Sequence, residues 1–337
     1  MSKRVTSFDV AALAGVSQSA VSRVFSGASA SKDTADKVRR AATKLGYRPN
    51  VLARSLITGR SRIIGLVVAY LGNPFYPDAL ERFSRMLQAE GYHTLVFTLA
   101  EGATDADADR VIQQMLDHQV DGIVLASVGL GDALARRCDT AGIPVVLFNR
   151  GQEGSGLAQV TSANREGGRK VAEFLVAGGH ERIGHVSGWQ GSSTGRDRTR
   201  GFLDELEALG HAVVGVEDGR YDHAAAIDAT QRLVDAGVDA LFVGNDHMAF
   251  AVLDHLRSEL GLSVPGDVSV VGYDDVPMAS FAGYDLTTVR QPVGRMVKTT
   301  VAALIEQIED KTAQAGIIEI DGPLILRGSA RIPEGLR

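Results

Sequence analysis

The sequence predicts an N-terminal all-α head followed by an α/β core of two lobes, each built on a doubly wound parallel sheet. The chain has 337 residues, enough for two or three domains. Residues 1–62 carry twelve Lys and Arg against three Asp and Glu, a net charge of +9, whereas the remaining residues sum to −15. After residue 62, apolar runs alternate with amphipathic stretches. A basic head and an acidic, alternating body therefore predict two kinds of structure in one chain.

The composition excludes several classes of protein. Hydrophobic residues make up 45% and charged residues 23% of the chain, which is typical of a globular protein and not of a disordered or fibrous one. Cys138 is the only cysteine, so we expect neither an intrachain disulfide nor a multi-cysteine metal site. The first residues lack the apolar stretch of a signal peptide, and the longest apolar runs are too short to span a bilayer. We therefore expect a cytoplasmic protein with no membrane partner.

Caps and glycines mark the first and third predicted helices of the head. Ser7 can cap the first helix, and Gly15 gives the tight turn that a helix-turn-helix unit needs. Ser31 and Gly46 bound the third helix, whose apolar residues follow an i, i+3, i+4, i+7 pattern. The inward face of the first helix is predicted to hold Phe8, Val10, Ala11 and Leu13.

The second predicted helix has a polar outer face. Ser17 can cap it, while Gln18, Ser19 and Arg23 point away from the apolar face. A polar surface with a single positive charge can enter the major groove of DNA, and the net charge of the head attracts phosphate backbones. The alternative is a solvated basic face with no partner.

Residues 48–62 differ from the rest of the head. Pro49 interrupts the chain, Asn50 offers a cap, and residues 51–57 could form about two helical turns, which are marginal alone in water. Arginines at positions 48, 54, 60 and 62 suggest that this segment becomes helical against DNA. A flexible linker is the alternative, and the two interpretations agree if the linker orders on binding.

The core shows two groups of four apolar strands separated by helical stretches. Such strands predict parallel sheets that are covered on both faces. In these sheets, ligands bind beyond the carboxyl ends of the strands, so the residues that follow each strand become site candidates. The predicted strands are residues 63–69, 94–98, 122–127, 144–148, 182–186, 213–216, 240–243 and 268–271.

Six segments, taken in order, resemble one known family. They read VTSFDVAALAGVSQSAVSRVFSG, LGYRPNVLARSL, GHERIGHVSG, VGND, VSVVGYDD and LTTVRQP. Their joint order and spacing are similar to the lactose/galactose repressor (LacI/GalR) family of bacterial transcription regulators. The resemblance implies a homodimer whose two heads bind a near-palindromic operator in double-stranded DNA. It also implies a core like that of the type I periplasmic binding proteins, which binds a small effector.

The resemblance assigns DNA contacts position by position. Gln18 and Ser19 match positions that read base edges, whereas Arg23 and Thr6 match a base and a phosphate contact. Ala53 and Leu56 fall where the hinge helices of the family enter the minor groove, and Leu56 matches the residue wedged into the central base step. The DNA-binding candidates are Thr6, Ser17, Gln18, Ser19, Arg23, Asn50, Ala53 and Leu56.

The rule for strand ends and the resemblance converge on the effector-binding candidates, and the resemblance supplies Arg198 and Tyr221, which match the arginine and the stacking aromatic of the family. Carboxylate, amide and guanidinium groups between aromatic rings suit a polyol, because they hydrogen-bond its hydroxyls while a ring covers its apolar face. The alternative for Asn245 and Asp274 is that they only cap the helices that follow them. Arg198 and Tyr221 are expected in loops. The candidates are Phe75, Tyr76, Asn149, Arg196, Arg198, Tyr221, Asn245 and Asp274.

Two departures from the lactose repressor bear on the ligand and the assembly. Position 149 is Asn beside Arg150, where that repressor has Asp, and residues 192–200 hold three arginines. Extra cations favour an acidic ligand, so the expected effector is a sugar, a sugar acid or a sugar phosphate. Only four residues follow Pro333, so we expect no heptad tail and predict dimers.

Other chemistries fit the sequence less well. Residues 191–195 (GSSTG) match the elbow of serine hydrolases, but six residues separate Ser193 from the preceding predicted strand. Asp105, Asp107 and Asp109 begin like a calcium loop, yet Arg110 stands where that loop needs Gly. His180 and His185 have no evident third metal ligand, and no GxGxxG follows a strand. We therefore expect no metal, no cofactor and no enzyme.

The sequence thus predicts a ligand-responsive transcription repressor. Its predicted parts are a helix-turn-helix domain over residues 1–47, a hinge helix or linker over 48–62, and a core over 63–337 that binds effector and dimerises. Within the core, the first lobe is expected over 63–162 and 291–322, and the second over 163–290 and 323–337. The alternatives are a solute-binding receptor, which a signal peptide would distinguish, and a serine hydrolase that uses Ser193.

Overall fold

The computed structural model describes residues 5–26, 29–47, 60–99, 104–127, 132–310 and 316–336. The chain divides into two compact units, residues 1–62 and residues 63–337. None of the helices in the described ranges is both long and apolar enough to cross a membrane.

The first unit contains helices α1 (Ser7–Ala14), α2 (Gln18–Ser26) and α3 (Lys32–Leu45). Thr6, and not Ser7, caps α1: its Oγ1 accepts a hydrogen bond from the Asp9 amide (3.4 Å), and the Asp9 carboxylate accepts one from the Thr6 amide (2.8 Å). The cap therefore begins one residue earlier than predicted, because Asp9 completes this reciprocal pair only with Thr6.

A small apolar core holds these three helices together. On α1 only Val10 and Ala11 are buried, whereas Phe8 and Leu13 are 70% and 45% exposed. The prediction that Phe8 and Leu13 face inward is wrong. At 100° per residue, Phe8 and Leu13 each lie about 110° from the centre of the narrow buried stripe of Val10 and Ala11, so both reach solvent. The buried set is Val10, Ala11, Val21, Val38, Ala41 and Ala42.

The first lobe of the second unit is a six-stranded parallel sheet covered by helices. Its strands run in the order β11–β5–β4–β3–β1–β2. They are β1 (Ile63–Val68), β2 (His93–Thr98), β3 (Gly122–Ala126), β4 (Val145–Phe148), β5 (Ala158–Ser162) and β11 (Ile317–Ile320). Its helices are α4 (Phe75–Ala89), α5 (Asp105–Asp117), α6 (Asp132–Thr140) and α11 (Val293–Glu309).

The second lobe repeats the design, with strand order β12–β10–β9–β8–β6–β7 and only β12 antiparallel to its neighbour. Its strands are β6 (Ile183–Ser187), β7 (Gly215–Asp218), β8 (Ala240–Val243), β9 (Ser269–Asp274), β10 (Thr287–Arg290) and β12 (Leu324–Ile325). Its α-helices are α7 (Asn164–Ala177), α8 (Ser193–Ala208), α9 (His223–Asp235) and α10 (Asp246–Asp254). Short helical turns cover His255–Glu259, Pro277–Ser280 and Glu334–Leu336.

The eight strands predicted from apolar runs are all present, with ends shifted by at most three residues. Strands β5, β10, β11 and β12 were not predicted. The β5 sequence AQVTS mixes polar and apolar residues, although all five are buried. Ile317 of β11 lies at a sheet edge and is 60% exposed. Such short strands form because a neighbouring strand is already in place to pair with them. The local sequence pattern does not contain this information.

The chain passes between the lobes three times. It leaves β5 of the first lobe for α7 of the second at Ala163, returns from β10 to α11 through Gln291 and Pro292, and leaves β11 for β12 over residues 321–323. The carboxyl ends of the strands in both sheets lie near these passages, which positions the strand ends of the two lobes opposite one another.

Candidate functional site

The residues at several strand ends have strained backbones. Ser127 after β3 has φ 64°, Asn149 after β4 has φ 70°, Tyr221 after β7 has φ 62°, and Asp274 at the end of β9 has φ 127°. Such left-handed conformations cost of order 1–3 kcal/mol each in residues other than glycine, Asn less than most. Their concentration at one edge of the two sheets indicates a functional site there.

A cavity between the lobes is lined mainly by polar side chains from these strand ends. Six of the eight effector-binding candidates line it. The free volume of the cavity is only about 10 Å³, roughly the room for one water molecule, so the lobes are nearly closed upon each other. The lining residues are Tyr70, Asn73, Tyr76, Asn149, Arg150, Thr194, Arg198, Tyr221, Asn245 and Asp274.

Hydrogen bonds between described residues of the two lobes surround this cavity. Tyr70 Oη donates to the Tyr221 carbonyl, and Asn73 Nδ2 donates to Asp274 Oδ2 (3.2 Å). The Gly151 amide donates to Ser193 Oγ (2.9 Å). Because each bond links the first lobe to the second, a separation of the lobes must break all three.

Arg198 and Asp274 are the charged centre of the cavity wall, and both are at least 96% buried. Arg198 Nη1 lies 3.4 Å from Asp274 Oδ1 and donates to the Gly244 carbonyl (2.7 Å), while its Nε donates to Asn164 Oδ1 (2.9 Å). The guanidinium carbon lies 3.7 Å from the ring centre of Tyr273, which adds a cation–π contact. Arg198 is therefore fixed from several sides.

The Asp274 carboxylate accepts hydrogen bonds from two side chains and forms an ion pair with a third, so it is not a helix cap. Besides Asn73 and Arg198, Gln291 Nε2 donates to Oδ1 at 2.6 Å. Burial raises the pKa of Asp274, against the lowering effect of the Arg198 charge. Burial likewise raises the pKa of the Tyr76 hydroxyl, which accepts a hydrogen bond from Asn149 Nδ2 (2.9 Å). These donors and acceptors suit a ligand with several hydroxyl groups.

Asn245 combines both roles considered for it. It caps α10, because its Oδ1 accepts a hydrogen bond from the Met248 amide at 2.9 Å, and it also lines the cavity.

Phe75 and Arg196 do not line the cavity. Phe75 is buried against Phe148, with ring centres 6.1 Å apart, because it begins α4 on the face that covers the sheet. Arg196 donates instead to the carbonyls of Gln190 and Gly191 (3.4 and 3.2 Å). Arg198 lies in α8 and not in a loop as expected, and a residue two positions earlier points about 200° away around that helix.

Sequence reasoning missed four of the lining residues. Tyr70 and Asn73 belong to the turn between β1 and α4, two and five residues beyond the strand, where the strand-end rule gives no exact position. Thr194 stands one turn before Arg198 on α8, so the helical period would have indicated it. Arg150 was noted in the sequence for its charge but not selected.

Close packing of α7 against α8 sets the position of Arg198. A Cβ on Gly168 of α7 would lie 2.2 Å from the Arg198 carbonyl oxygen, and one on Gly201 of α8 would lie 2.0 Å from that of Arg165. Only hydrogen fits at either contact, so the two glycines allow the helices to approach closely and hold the arginine at the cavity wall.

Ser193 has the surroundings of a structural hydroxyl. It is the first residue of α8, six positions after the end of β6, and its Oγ accepts the hydrogen bond of the Gly151 amide. This is not the strand-to-helix turn that presents the nucleophile of a serine hydrolase.

The DNA-binding candidates of the head lie on or beside α2. Ser17 Oγ accepts a hydrogen bond from the Ala20 amide (3.2 Å), so Ser17 caps α2 as predicted. Gln18, Ser19 and Arg23 are all exposed, and Thr6 caps the preceding helix. The other three candidates, Asn50, Ala53 and Leu56, lie outside the described residues.

Comparison with known proteins identifies the family. Residues 8–50 match the family model "Bacterial regulatory proteins, lacI family", and residues 172–330 match "Periplasmic binding protein-like domain". The HTH-type transcriptional regulator CelR of Thermobifida fusca is 34% identical over 97% of this chain and 98% of its own length. The chain belongs to the LacI family. Another relative, the HTH-type transcriptional repressor PurR of Photobacterium profundum, is 31% identical over 96% of this chain and 98% of its own length.

Solved structures of LacI-family proteins share the fold. The CelR–cellobiose complex matches with a TM-score of 0.72 and 31% identity, over 97% of this chain and 100% of the other. The lac repressor dimer bound to operator and the anti-inducer ONPF matches with a TM-score of 0.87 and 26% identity, over 97% and 99%. These matches confirm the predicted fold class of a helix-turn-helix head and two parallel-sheet lobes. Since the relatives are transcriptional regulators, the expectation that the chain is not an enzyme is also confirmed.

Proposed function

We propose that this LacI-family regulator is a dimeric repressor that binds a near-palindromic operator and responds to a sugar-like effector in the cavity between its lobes. The observation that carries the proposal is the convergence of buried polar side chains from both lobes on one closed cavity. It occurs in a chain whose relatives over nearly their full length are DNA-binding regulators. The cellobiose complex of CelR supports a sugar as the ligand type.

The effector is held by groups from both lobes. Asp274 accepts hydrogen bonds from hydroxyls, and the Asn149 amide both accepts and donates them. Arg198 donates from the second lobe, and Tyr76 and Tyr221 supply the aromatic walls. Since the cavity is nearly filled in the closed arrangement, a sugar enters only when the lobes separate. Closure on the ligand then replaces contacts between the lobes with contacts through the ligand.

The head binds DNA through α2. Gln18, Ser19 and Arg23 read base edges in the major groove, while Thr6 and Ser17 contact phosphates beside it. Residues 48–62 act as a hinge whose Asn50, Ala53 and Leu56 contact the minor groove, with Leu56 as the wedge between two base pairs. Unstacking that step costs a few kcal/mol, which the contacts made by bent DNA offset.

The two activities are coupled through the dimer. Effector binding changes the lobe arrangement, which changes the distance between the two hinges and therefore their fit to the operator. Linkage requires the operator to change effector affinity by the same factor, with couplings of about 1–3 kcal/mol typical of allosteric proteins. A repressor of this kind acts in the cytoplasm beside the chromosome, and it needs no cofactor.

Selection from random double-stranded DNA tests the proposal. The purified full-length protein is expected to enrich a near-palindromic sequence, and a broad mixture of cell metabolites is expected to change the amount of DNA bound. The logarithm of affinity should also fall linearly with the logarithm of salt concentration, because phosphate contacts release counterions. A selection with no sequence preference, with and without metabolites, would overturn the proposal.

A further inference from the structure

The charges that line the cavity are unbalanced. Its charged lining residues are two arginines, Arg150 and Arg198, and one carboxylate, Asp274. The carboxylate lies 3.4 Å from Arg198, whereas Arg150 takes part in none of the ion pairs found among the described residues. The neighbouring carboxylate of Asp246 does not line the cavity and accepts a hydrogen bond from the Val276 amide (2.9 Å). Arg150 is thus the cation of this cavity without a counter-charge in the described part of the chain.

Arg150 is held in place by groups that leave most of its donors available. Its Nη1 donates to the Ser127 carbonyl at 3.1 Å, and its guanidinium carbon lies 5.7 Å from the ring centre of Trp189 and 6.0 Å from that of Tyr221. Aromatic contacts occupy the faces of a guanidinium, while its N–H groups point outward in the plane. The Nε of Arg150 is buried and has no hydrogen-bond partner in the described structure.

Other arginines of the same region do not share this position. Arg196 donates to the Gln190 and Gly191 carbonyls, and Arg200 is 66% exposed beside Asp204. The sequence based the expectation of an acidic ligand on Asn149 beside Arg150 and on three arginines of residues 192–200, and within the cavity it rests on Arg150.

A buried donor with a net charge favours an anionic oxygen over a neutral hydroxyl. A hydroxyl can accept a hydrogen bond from the buried Nε of Arg150 but leaves the charge of this partly buried guanidinium uncompensated. A carboxylate or phosphate group compensates the charge and accepts two parallel hydrogen bonds from the guanidinium edge. The amide of Asn149, with a buried Oδ1 that lacks a partner in the described structure, lies next in the chain and supplies no charge.

We propose that the effector is a small polyhydroxylated acid whose carboxylate or phosphate group binds Arg150. The remainder of the molecule carries the hydroxyls that face Arg198 and Asp274. This inference rests on the proposed function, because it names the class of ligand that the same cavity binds.

Matched pairs of neutral and acidic sugars test the inference. Glucose, galactose and ribose are compared, each with its sugar acid and its phosphate monoester, as ligands of the full-length protein at millimolar concentration. Binding is followed by melting temperature and by the fluorescence of Trp189, the only tryptophan of the chain, whose ring contacts Arg150. At least one acid is expected to bind about 10-fold or more tightly than its neutral counterpart.

Three variants show which side chain causes the preference for the acid over the neutral sugar. Arg150→Met is expected to weaken binding of that acid about 10- to 100-fold and to change binding of the neutral sugar by less than about 3-fold. Asn149→Asp keeps the shape of the side chain and adds a carboxylate beside Arg150, so it is expected to lower affinity for the acid and to raise it for the neutral sugar. Arg196→Met removes an arginine outside the cavity and is expected to leave both affinities unchanged.

Any of three results would overturn the inference: neutral sugars that bind as tightly as their acids, an Arg150→Met variant that weakens both equally, or no binding by any acid. None of them bears on operator recognition. Selection of a DNA sequence by the same preparation without ligand separately shows whether the chain is a regulator, so the two failures are distinguishable.

Discussion

Arg198 and Asp274 form a buried ion pair between the end of β9 and the first half of α8, with Arg198 Nη1 3.4 Å from Asp274 Oδ1. Both side chains are almost fully buried, so water screens neither charge. Removing one partner of such a pair leaves the other as an uncompensated charge, which typically costs about 3–5 kcal/mol. The same two side chains therefore contribute both to the stability of the second lobe and to the charged wall of the cavity.

A double-mutant cycle measures this coupling. We expect Asp274→Asn to lower the free energy of unfolding by about 3–5 kcal/mol, because Arg198 keeps its charge in the cavity wall. The double variant Arg198→Met with Asp274→Asn should lose less than the sum of the two single losses. Urea denaturation of the four proteins provides the measurement. Additive losses would show that the two groups do not interact.

Stability should depend on pH through Asp246. Burial, together with the nearby charge of Asp274, raises the pKa of the Asp246 carboxyl from 3.8 to about 7. The folded protein therefore holds a proton that the unfolded chain releases above pH 3.8. The stabilisation is complete below that pH and is lost as pH rises through about 7.

Asp246→Asn tests this assignment. The amide cannot ionise, and its oxygen can still accept the hydrogen bond of the Val276 amide. Subtracting the variant's melting temperature from that of the wild type at each pH isolates the contribution of this group. We expect the difference to become more negative between about pH 4 and about pH 7. A difference that is constant over this range would assign the titration elsewhere.

Two glycines should be intolerant of a methyl group. Gly168→Ala and Gly201→Ala each place a carbon against a backbone carbonyl oxygen of the partner helix, at 2.2 Å and 2.0 Å before relaxation. We expect losses of about 1–3 kcal/mol or more in unfolding free energy, together with weaker ligand binding, because α8 must move and carries Arg198 with it. Gly283→Ala is the matched control, since its Cβ would meet nothing within 4 Å. Equal stability of all three variants would show that the helices adjust freely.

Two variants should separate the base contacts of Gln18 from the insertion of Leu56 between base pairs. Gln18→Ala is expected to reduce the preference for the selected operator over random DNA while leaving the salt dependence unchanged, because it removes no phosphate contact. Leu56→Ala is expected to weaken operator binding while leaving effector affinity nearly intact. Titration of labelled operator at several salt concentrations and of effector without DNA supplies the measurements. Loss of effector affinity equal to loss of operator affinity would contradict the assignment of Leu56.

The sequence predicted the fold better than it predicted the cavity, for reasons visible in single residues. Apolar strands such as β8 are encoded locally, whereas β11 depends on β5 as a neighbour and carries no local pattern. Asn149 and Asp274 could be predicted because a ligand site of a parallel sheet lies at its strand ends. Tyr70 and Asn73 reach the cavity through a turn whose path only the tertiary structure determines. Arg196 lies outside the cavity because the period of α8 turns it about 200° away from Arg198.

The triple passage of the chain between the lobes limits how this protein can be divided. Neither lobe is a continuous piece of sequence, so a fragment that stops at residue 163 would lack β11 and leave an edge of β5 uncovered. A chimaera that takes one lobe from a relative needs three junctions, at Ala163, at Gln291 and within residues 321–323. Transplanting the ligand preference of another regulator is therefore better done by exchanging cavity side chains than by exchanging segments.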